Sequence, residues 1–275
     1  MHDDRRRSAT LPLAVGHRLA GGLYLRRRRP ARAAGTVLWI HGLGESALCF
    51  ERLLAEPRLG RWQHLAPDLP GYGKSPWRRG EPLGFAAQAD ALARLLRRLE
   101  TPPAVVVGHS MGGVVGTVLA ERAPDVVRAL VDVEGNVSFD DCTTSREVAE
   151  LSLEQLVAGG LETVRDRVYR RGLEERPLRG YFASLSLCDP RALHRDSRRL
   201  VELSRDEVLA PRLGALALPV LYLLGDPGGA GRRSRRLLDR AGVPWRAIRP
   251  AGHWPFLDQH EAFVEELLAF LEELG

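Results

Sequence analysis

A strained turn at the end of a buried strand limits what this chain can fold into more than any other feature. Val105-Val106-Val107 is a β-branched run that feeds Gly108-His109-Ser110-Met111-Gly112, and Gly113-Val114-Val115 continues into a helix-compatible segment. This is a G-x-S-x-G pattern between a strand and a helix. A serine turned out at the tip of such a turn has a strained backbone. Its neighbours two before and two after must lack side chains, or strand and helix cannot approach that closely. Gly108 and Gly112 meet that demand. The start of the helix then offers backbone N–H groups to a developing negative charge. A glycine-rich turn that happens to hold a serine is the plainer account of this stretch, so the rest of the chain has to decide.

With 275 residues, 44% of them hydrophobic, the chain suits one large α/β domain or a core with an inserted subdomain. No apolar run approaches the roughly 18 residues needed to cross a bilayer. The charged stretch Met1 to Thr10 is followed only by Leu11-Pro12-Leu13-Ala14-Val15, too short for the apolar part of a signal peptide. Cys49, Cys142 and Cys188 are odd in number and far apart, with no metal-ligand spacing, which argues against a disulfide framework. A cytoplasmic location without membrane insertion is the default expectation. The formal net charge of +5 invites a nucleic-acid partner, but the pattern of charge argues against one. Lys74 is the sole lysine, acids are interspersed with the arginines, and aromatics are sparse. The dense cluster Arg26 to Arg29, beside Pro30 and Arg32, reads as a solvated charged loop or strand end.

Taken in order, residues 11–15 and 23–25 read as an opening antiparallel hairpin, and Thr36-Val37-Leu38-Trp39-Ile40 as a strand buried on both faces. That strand ends in His41-Gly42-Leu43-Gly44, a turn able to aim backbone N–H groups at an oxyanion. Ser46 is the expected cap of a helix over 46–56. His64-Leu65-Ala66 reads as the next strand, and the loop Pro67 to Ser75 follows it. An amphipathic helix spans Leu83 to Leu99, Pro102 and Pro103 break the chain, and the helix after the turn runs from Met111 to Ala123. Arg128 to Val133 is another buried strand, with Glu134-Gly135-Asn136 at its end. From 137 to 210 the alternation gives way to charged helical segments, read as an inserted helical lid, so the core is 1–136 together with 211–275. Alternation resumes with the strand Leu218 to Leu224, ending in Gly225-Asp226-Pro227-Gly228-Gly229. A helix near 232–241, a strand near 245–249, the loop Pro250 to Pro255 and a closing helix from Asp258 to Leu274 complete the chain. Strands alternating with helices mean a mostly parallel sheet covered on both faces.

Ligands of such sheets gather at the carboxyl ends of the strands. The 41–44 turn, Ser110, Glu134, Asp226 and His253 all fall there, with hydroxyl, acid and imidazole in the order serine, acid, histidine. The pieces His41-Gly42-Leu43-Gly44, Asp68 to Ser75, Gly108 to Gly113 and Gly252-His253-Trp254-Pro255-Phe256 together resemble the α/β-hydrolase superfamily, in its lid-bearing, serine-esterase-like form. The resemblance covers nearly all of the chain outside the lid. It implies the α/β-hydrolase fold, a mostly parallel central sheet flanked by helices with the lid inserted. It also implies Ser110 as nucleophile, His253 as base, and the N–H groups of Leu43 and Met111 as oxyanion hole. His41 and His109 flank the site and read as structural, as does Asp132. The triad acid has two candidates. Asp226 follows the strand where the family usually keeps it, but directly after Gly225, whereas the usual slot holds Gly228. Glu134 follows the preceding strand, where some relatives keep the acid, 24 residues past the nucleophile (134 − 110). We favour Glu134, with Asp226 as the alternative.

These residues describe a serine hydrolase that cleaves a small ester, thioester or related acyl substrate through an acyl-enzyme. A serine hydroxyl needs an adjacent imidazole to take its proton. No Rossmann pattern, P-loop or metal motif occurs, so no cofactor and no metal are expected, and water serves as second substrate. The competing readings are a carbon–carbon bond hydrolase or cofactor-free perhydrolase of the same fold, and a catalytically silent small-molecule-binding scaffold. Relatives with an aspartate nucleophile are disfavoured because Ser110 holds that position. The lid arginines, among them Arg146, Arg165, Arg167, Arg170, Arg171 and Arg195, read as a solvated outer face rather than a grip on an acidic substrate. Tyr181-Phe182 and Leu185 are candidates for the pocket lining.

Overall fold

The computed structural model describes residues 15–77, 80 and 84–275, built around an eight-stranded sheet. In chain order the strands are β1 (Gly16–Ala20), β2 (Leu23–Arg28), β3 (Thr36–Ile40), β4 (Gln63–Pro67), β5 (Ala104–His109), β6 (Val127–Val133), β7 (Val220–Gly228) and β8 (Trp245–Gly252). They lie side by side as β1-β2-β4-β3-β5-β6-β7-β8. β1 and β2 pair antiparallel, as do β2 and β4, and the other neighbours run parallel. Side chains of the central strands alternate between two apolar clusters. Leu38, Ile40, Val106 and Leu130 enter one, and Val37, Trp39, Val105, Val107 and Val131 enter the other. The two-residue period of a strand puts them there, and covering both faces turns the sequence signal into a continuous apolar run.

Helices supply the covers. α1 (Glu51–Ala55) and the C-terminal α12 (His260–Glu273) pack on one face, while α2 (Phe85–Arg98) and α3 (Met111–Arg122) pack on the other. Between β6 and β7 the described chain forms no strand. It runs through α4 (Thr144–Ala149), α5 (Leu153–Gln155), α6 (Leu161–Gly172), α7 (Arg176–Leu185), α8 (Pro190–Arg205) and α9 (Leu209–Gly214). Val148, Val164, Leu178, Leu185 and Leu200 of this segment join the same cluster as α2 and α3. Each such burial is worth about 1.5–3 kcal/mol, so packing as well as the chain holds these helices in place. α10 (Arg232–Arg240) joins β7 to β8, and α11 (Pro255–Asp258) precedes α12.

Four sequence expectations need correction. The opening hairpin pairs 16–20 with 23–27 around Gly21-Gly22, and of the 11–15 run expected as its first strand, 11–14 lie outside the described residues. β1 is an edge strand exposed over most of its length, so apolar patterning does not mark it. Ser46 stands at the N-cap position of a short 3-10 turn, Ala47–Phe50, but its side chain makes no cap bond: its hydroxyl meets Ser184 Oγ at 3.0 Å, and Asp68 Oδ1 accepts the Ala47 N–H at 2.8 Å instead. The Arg26–Arg29 cluster is not a solvated loop. Arg26 and Arg28 are buried in β2, where Arg26 pairs with Asp68 at 2.9 Å and Arg28 donates to the carbonyls of Leu54 and Glu56. Finally, β7 and β8 run on to Gly228 and Gly252, past the ends their apolar runs suggest, because they pair through Gly225–Gly228.

Candidate active site

Ser110 leaves β5 and enters α3 with φ 53° and ψ −121°, the strained turn that the flanking glycines anticipate. A methyl group on Gly108 would stand 2.3 Å from the Gly112 carbonyl oxygen, and one on Gly112 would stand 2.1 Å from that of Ile40. The backbone is pinned on both sides of the serine. Its N–H donates to Val133 O at 2.8 Å, and its carbonyl accepts from Gly113 N at 2.9 Å. Met111 opens α3, so its N–H belongs to the first turn, whose amides have no acceptor within the helix. Leu43 follows β3 on the neighbouring loop and lines the same cavity as Ser110.

His253 follows β8, and its Nδ1 lies 3.3 Å from Glu134 Oε2. Glu134 ends β6 in left-handed backbone, φ 54°, with its N–H on Leu223 O. Its other oxygen, Oε1, accepts from Gly225 N at 2.7 Å and Ala230 N at 3.1 Å. The carboxylate is thus buried and oriented by β7 and the loop after it. Asp226 goes elsewhere: its carboxylate binds Arg235 and Arg249, whose hydrogen bonds hold it below the usual carboxylate range. The structure therefore brings Glu134, not Asp226, to the imidazole.

Ser110, Glu134, His253 and Leu43 line one cavity of about 740 Å³, together with Tyr181 and Arg167. Phe182 packs beside Tyr169, and Leu185 is buried in the core. Arg167 and Arg171 correct the outer-face reading in part, since both line the cavity wall. Each already faces a carboxylate, Glu147 at 2.5 Å and Glu175 at 2.8 Å. Of the residues read as structural, His41 is buried, accepting from Leu69 N and facing Gly42 O. Its Nε2, as acceptor of the Leu69 N–H, carries no proton, and burial holds its pKa below the ordinary value. Asp132 is buried against Gly113 and Gly135, and burial pushes its carboxyl far up.

Glu45 escaped the sequence reading. It is buried beside the site, where Oε2 accepts from Gly42 N at 2.6 Å and lies 2.8 Å from His109 Nδ1. Oε1 accepts from Trp254 Nε1 at 2.6 Å. The signal was an acid set directly after a Gly-x-Gly turn in a mostly apolar stretch. Among the described residues, Glu56, His260 and Glu261 form the one group with metal-ligand-type atoms within 4.8 Å of one another. Arg58 already binds both of those carboxylates. No helix among the described residues is long and apolar enough to cross a membrane.

Comparison with known proteins matches residues 37–266 to the family described as "Alpha/beta hydrolase family". The chain is 40% identical over 131 residues to the lipase LipV of Mycobacterium tuberculosis, a match that covers 48% of each protein. It therefore spans about half the length of that relative. It is 29% identical over 258 residues to a pimeloyl-[acyl-carrier protein] methyl ester esterase of Klebsiella pneumoniae, covering 86% of this chain and 93% of that one. Among solved structures it resembles a thermophilic esterase from Thermogutta terrifontis, with a TM-score of 0.74 and 21% identity over 92% of this chain and 94% of that one. At that identity the last likeness speaks for the fold alone.

Proposed function

Since the chain belongs to the alpha/beta hydrolase family, we propose that it is a serine hydrolase cleaving a small carboxylic ester or thioester through an acyl-enzyme. The observation that carries this reading is the Glu134 carboxylate. Two backbone amides, one in β7 and one in the loop after it, grip one of its oxygens, and the other meets His253 in the cavity that Ser110 lines. In the proposed reaction the Ser110 hydroxyl attacks the substrate carbonyl while His253 takes its proton. Glu134 fixes the tautomer and orientation of the ring and stabilises the imidazolium. The N–H groups of Leu43 and Met111 receive the oxyanion, each worth roughly 10²–10³ in rate. The protonated histidine then protonates the leaving alcohol or thiol. It next activates a water that attacks the acyl-enzyme, which releases the acid and restores Ser110. The ester-hydrolysing relatives support this substrate class. The helices of 137–210 are proposed as the lid, because Tyr181 and Arg167 from them line the cavity that Ser110 also lines.

Intact-mass labelling with a fluorophosphonate tests the reading. One adduct on wild type and none on Ser110→Ala is the expected result. A well-folded wild type that takes no adduct would refute it and favour a binding scaffold.

A further inference from the structure

We propose that Glu45 and His109 form a buried carboxylate–imidazolium pair that positions His253, by tying the loop carrying it to the turn after β3. The inference rests on reading His253 as the base. Both ring nitrogens of His109 face acceptors: Nδ1 lies 2.8 Å from Glu45 Oε2, and Nε2 lies 2.8 Å from the backbone oxygen of His253. A carbonyl oxygen donates nothing, so Nε2 must carry a proton. Nδ1 then either carries one too or accepts one from a protonated Glu45. The surroundings of Glu45 decide between these. Its two oxygens already accept N–H groups from Gly42 and Trp254, and donors converging on a carboxylate favour its ionised form. The proton belongs on His109. Burial opposes both charges, yet their mutual attraction prevails, holding Glu45 down at about 2 and His109 above its ordinary value.

The connections give this pair its role. One carboxylate holds Gly42, the residue before the proposed oxyanion donor Leu43, and also Trp254, the residue after His253. His109, the residue before Ser110, holds the His253 backbone. Nucleophile, oxyanion loop and base are thereby referenced to one buried ion pair. The other ionisable groups near His109 are Glu134, Asp132 and His253 itself. Glu134 favours the His109 charge, and Asp132 interacts with it. The rings of His253, Trp254 and Phe256 surround it, with the Phe256 centroid 5.1 Å away and edge-on.

Nitrogen-15 spectra of the full-length wild type at pH 8, with His109 assigned through His109→Gln, give the direct test. Two protonated nitrogens on His109 are expected, and a neutral ring would overturn the ion pair. The second readout is the phosphonylation rate of Ser110 and the kcat on an aryl ester. Glu45→Gln and His109→Gln are each expected to lower both by about 10²-fold, the usual cost of misplacing a reacting group by about 1 Å, with KM nearly unchanged. Folded variants that label and turn over at the wild-type rate would overturn the positioning role. Where they do not fold, Trp254→Phe removes one tether from Glu45 and keeps an aromatic ring, and it carries the same expectation at smaller size. A wild type that takes no label fails the hydrolase reading and the positioning role with it, while the spectrum still decides the ion pair.

Discussion

Glu134 reaches His253 from the strand beside the nucleophile strand, and its side chain has one oxygen committed to Gly225 and Ala230 and one left for the imidazole. Glu134→Gln keeps the shape and removes the charge, and it sets an amide where a carboxylate received the imidazole N–H. Loss of ring orientation and of imidazolium stabilisation together costs roughly 10⁴-fold in such triads. We expect a kcat loss approaching that for Glu134→Gln. Asp226→Asn is expected to lower kcat only slightly, since it breaks contacts to Arg235 and Arg249 outside the cavity. Steady-state kinetics on one ester decides, and the reverse ranking would move the acid to Asp226. That Ser110 and His253 come to one cavity was legible because each stands in a local motif whose backbone geometry demands particular neighbours. Which carboxylate stands beside His253 was only half legible, because no pattern along the chain shows that Asp226 turns to two arginines. Glu45 was not legible as a partner at all. His109 lies 64 positions from it and Trp254 lies 209, and only the folded sheet brings them together.

At the scale of elements, the turn after β7 owes its shape to the missing side chain at Gly229. A methyl group there would fall 2.1 Å from Glu134 Oε1 and 2.6 Å from the Gly225 carbonyl oxygen. Neither neighbour can retreat, since Oε1 is bonded to two backbone amides and Gly225 is paired within β7. Gly229→Ala is therefore expected to push the carboxylate off His253 and lower kcat by about 10–10²-fold, a displacement effect of the kind that misaligned catalytic groups produce. Gly231→Ala, with open space around the added methyl, is the control and should stay near wild type. Equal kinetics for the two variants would show that Gly229 has no such role. The same scale explains which elements the sequence revealed. β3, β5 and β6 are covered on both faces, so composition alone marks them. β1 is an exposed edge, and Arg26 is buried in β2 only because Asp68 from the loop after β4 neutralises it.

For the whole molecule, the joint of α8 with α2 and the loop after β4 contains a buried carboxyl that makes stability depend on pH. Asp196 of α8 accepts through Oδ2 from Tyr72 Oη and Gln88 Nε2, each at 2.7 Å, while its Oδ1 is buried with no partner among the described residues. Burial raises its pKa, and the bonds from Tyr72 and Gln88 offset this only in part, leaving it at about 6. An acid with a folded pKa above its unfolded 3.8 binds more protons folded than unfolded between those values. Its contribution to stability is thus greatest below pH 4 and declines until the pH passes about 6. A change of that size corresponds to about 3 kcal/mol at most. Asp196→Asn removes the titration and keeps an oxygen able to accept from Tyr72 and Gln88. The difference in unfolding free energy between variant and wild type, measured by denaturant titration from pH 4 to pH 8, isolates this group from others that titrate in the same window. We expect the two proteins to be closest in stability at pH 4, with the variant gaining as the pH rises and levelling off above 7. A difference independent of pH would mean that Asp196 is already ionised at pH 4 in the folded protein, so that the bonds from Tyr72 and Gln88 outweigh the effect of burial.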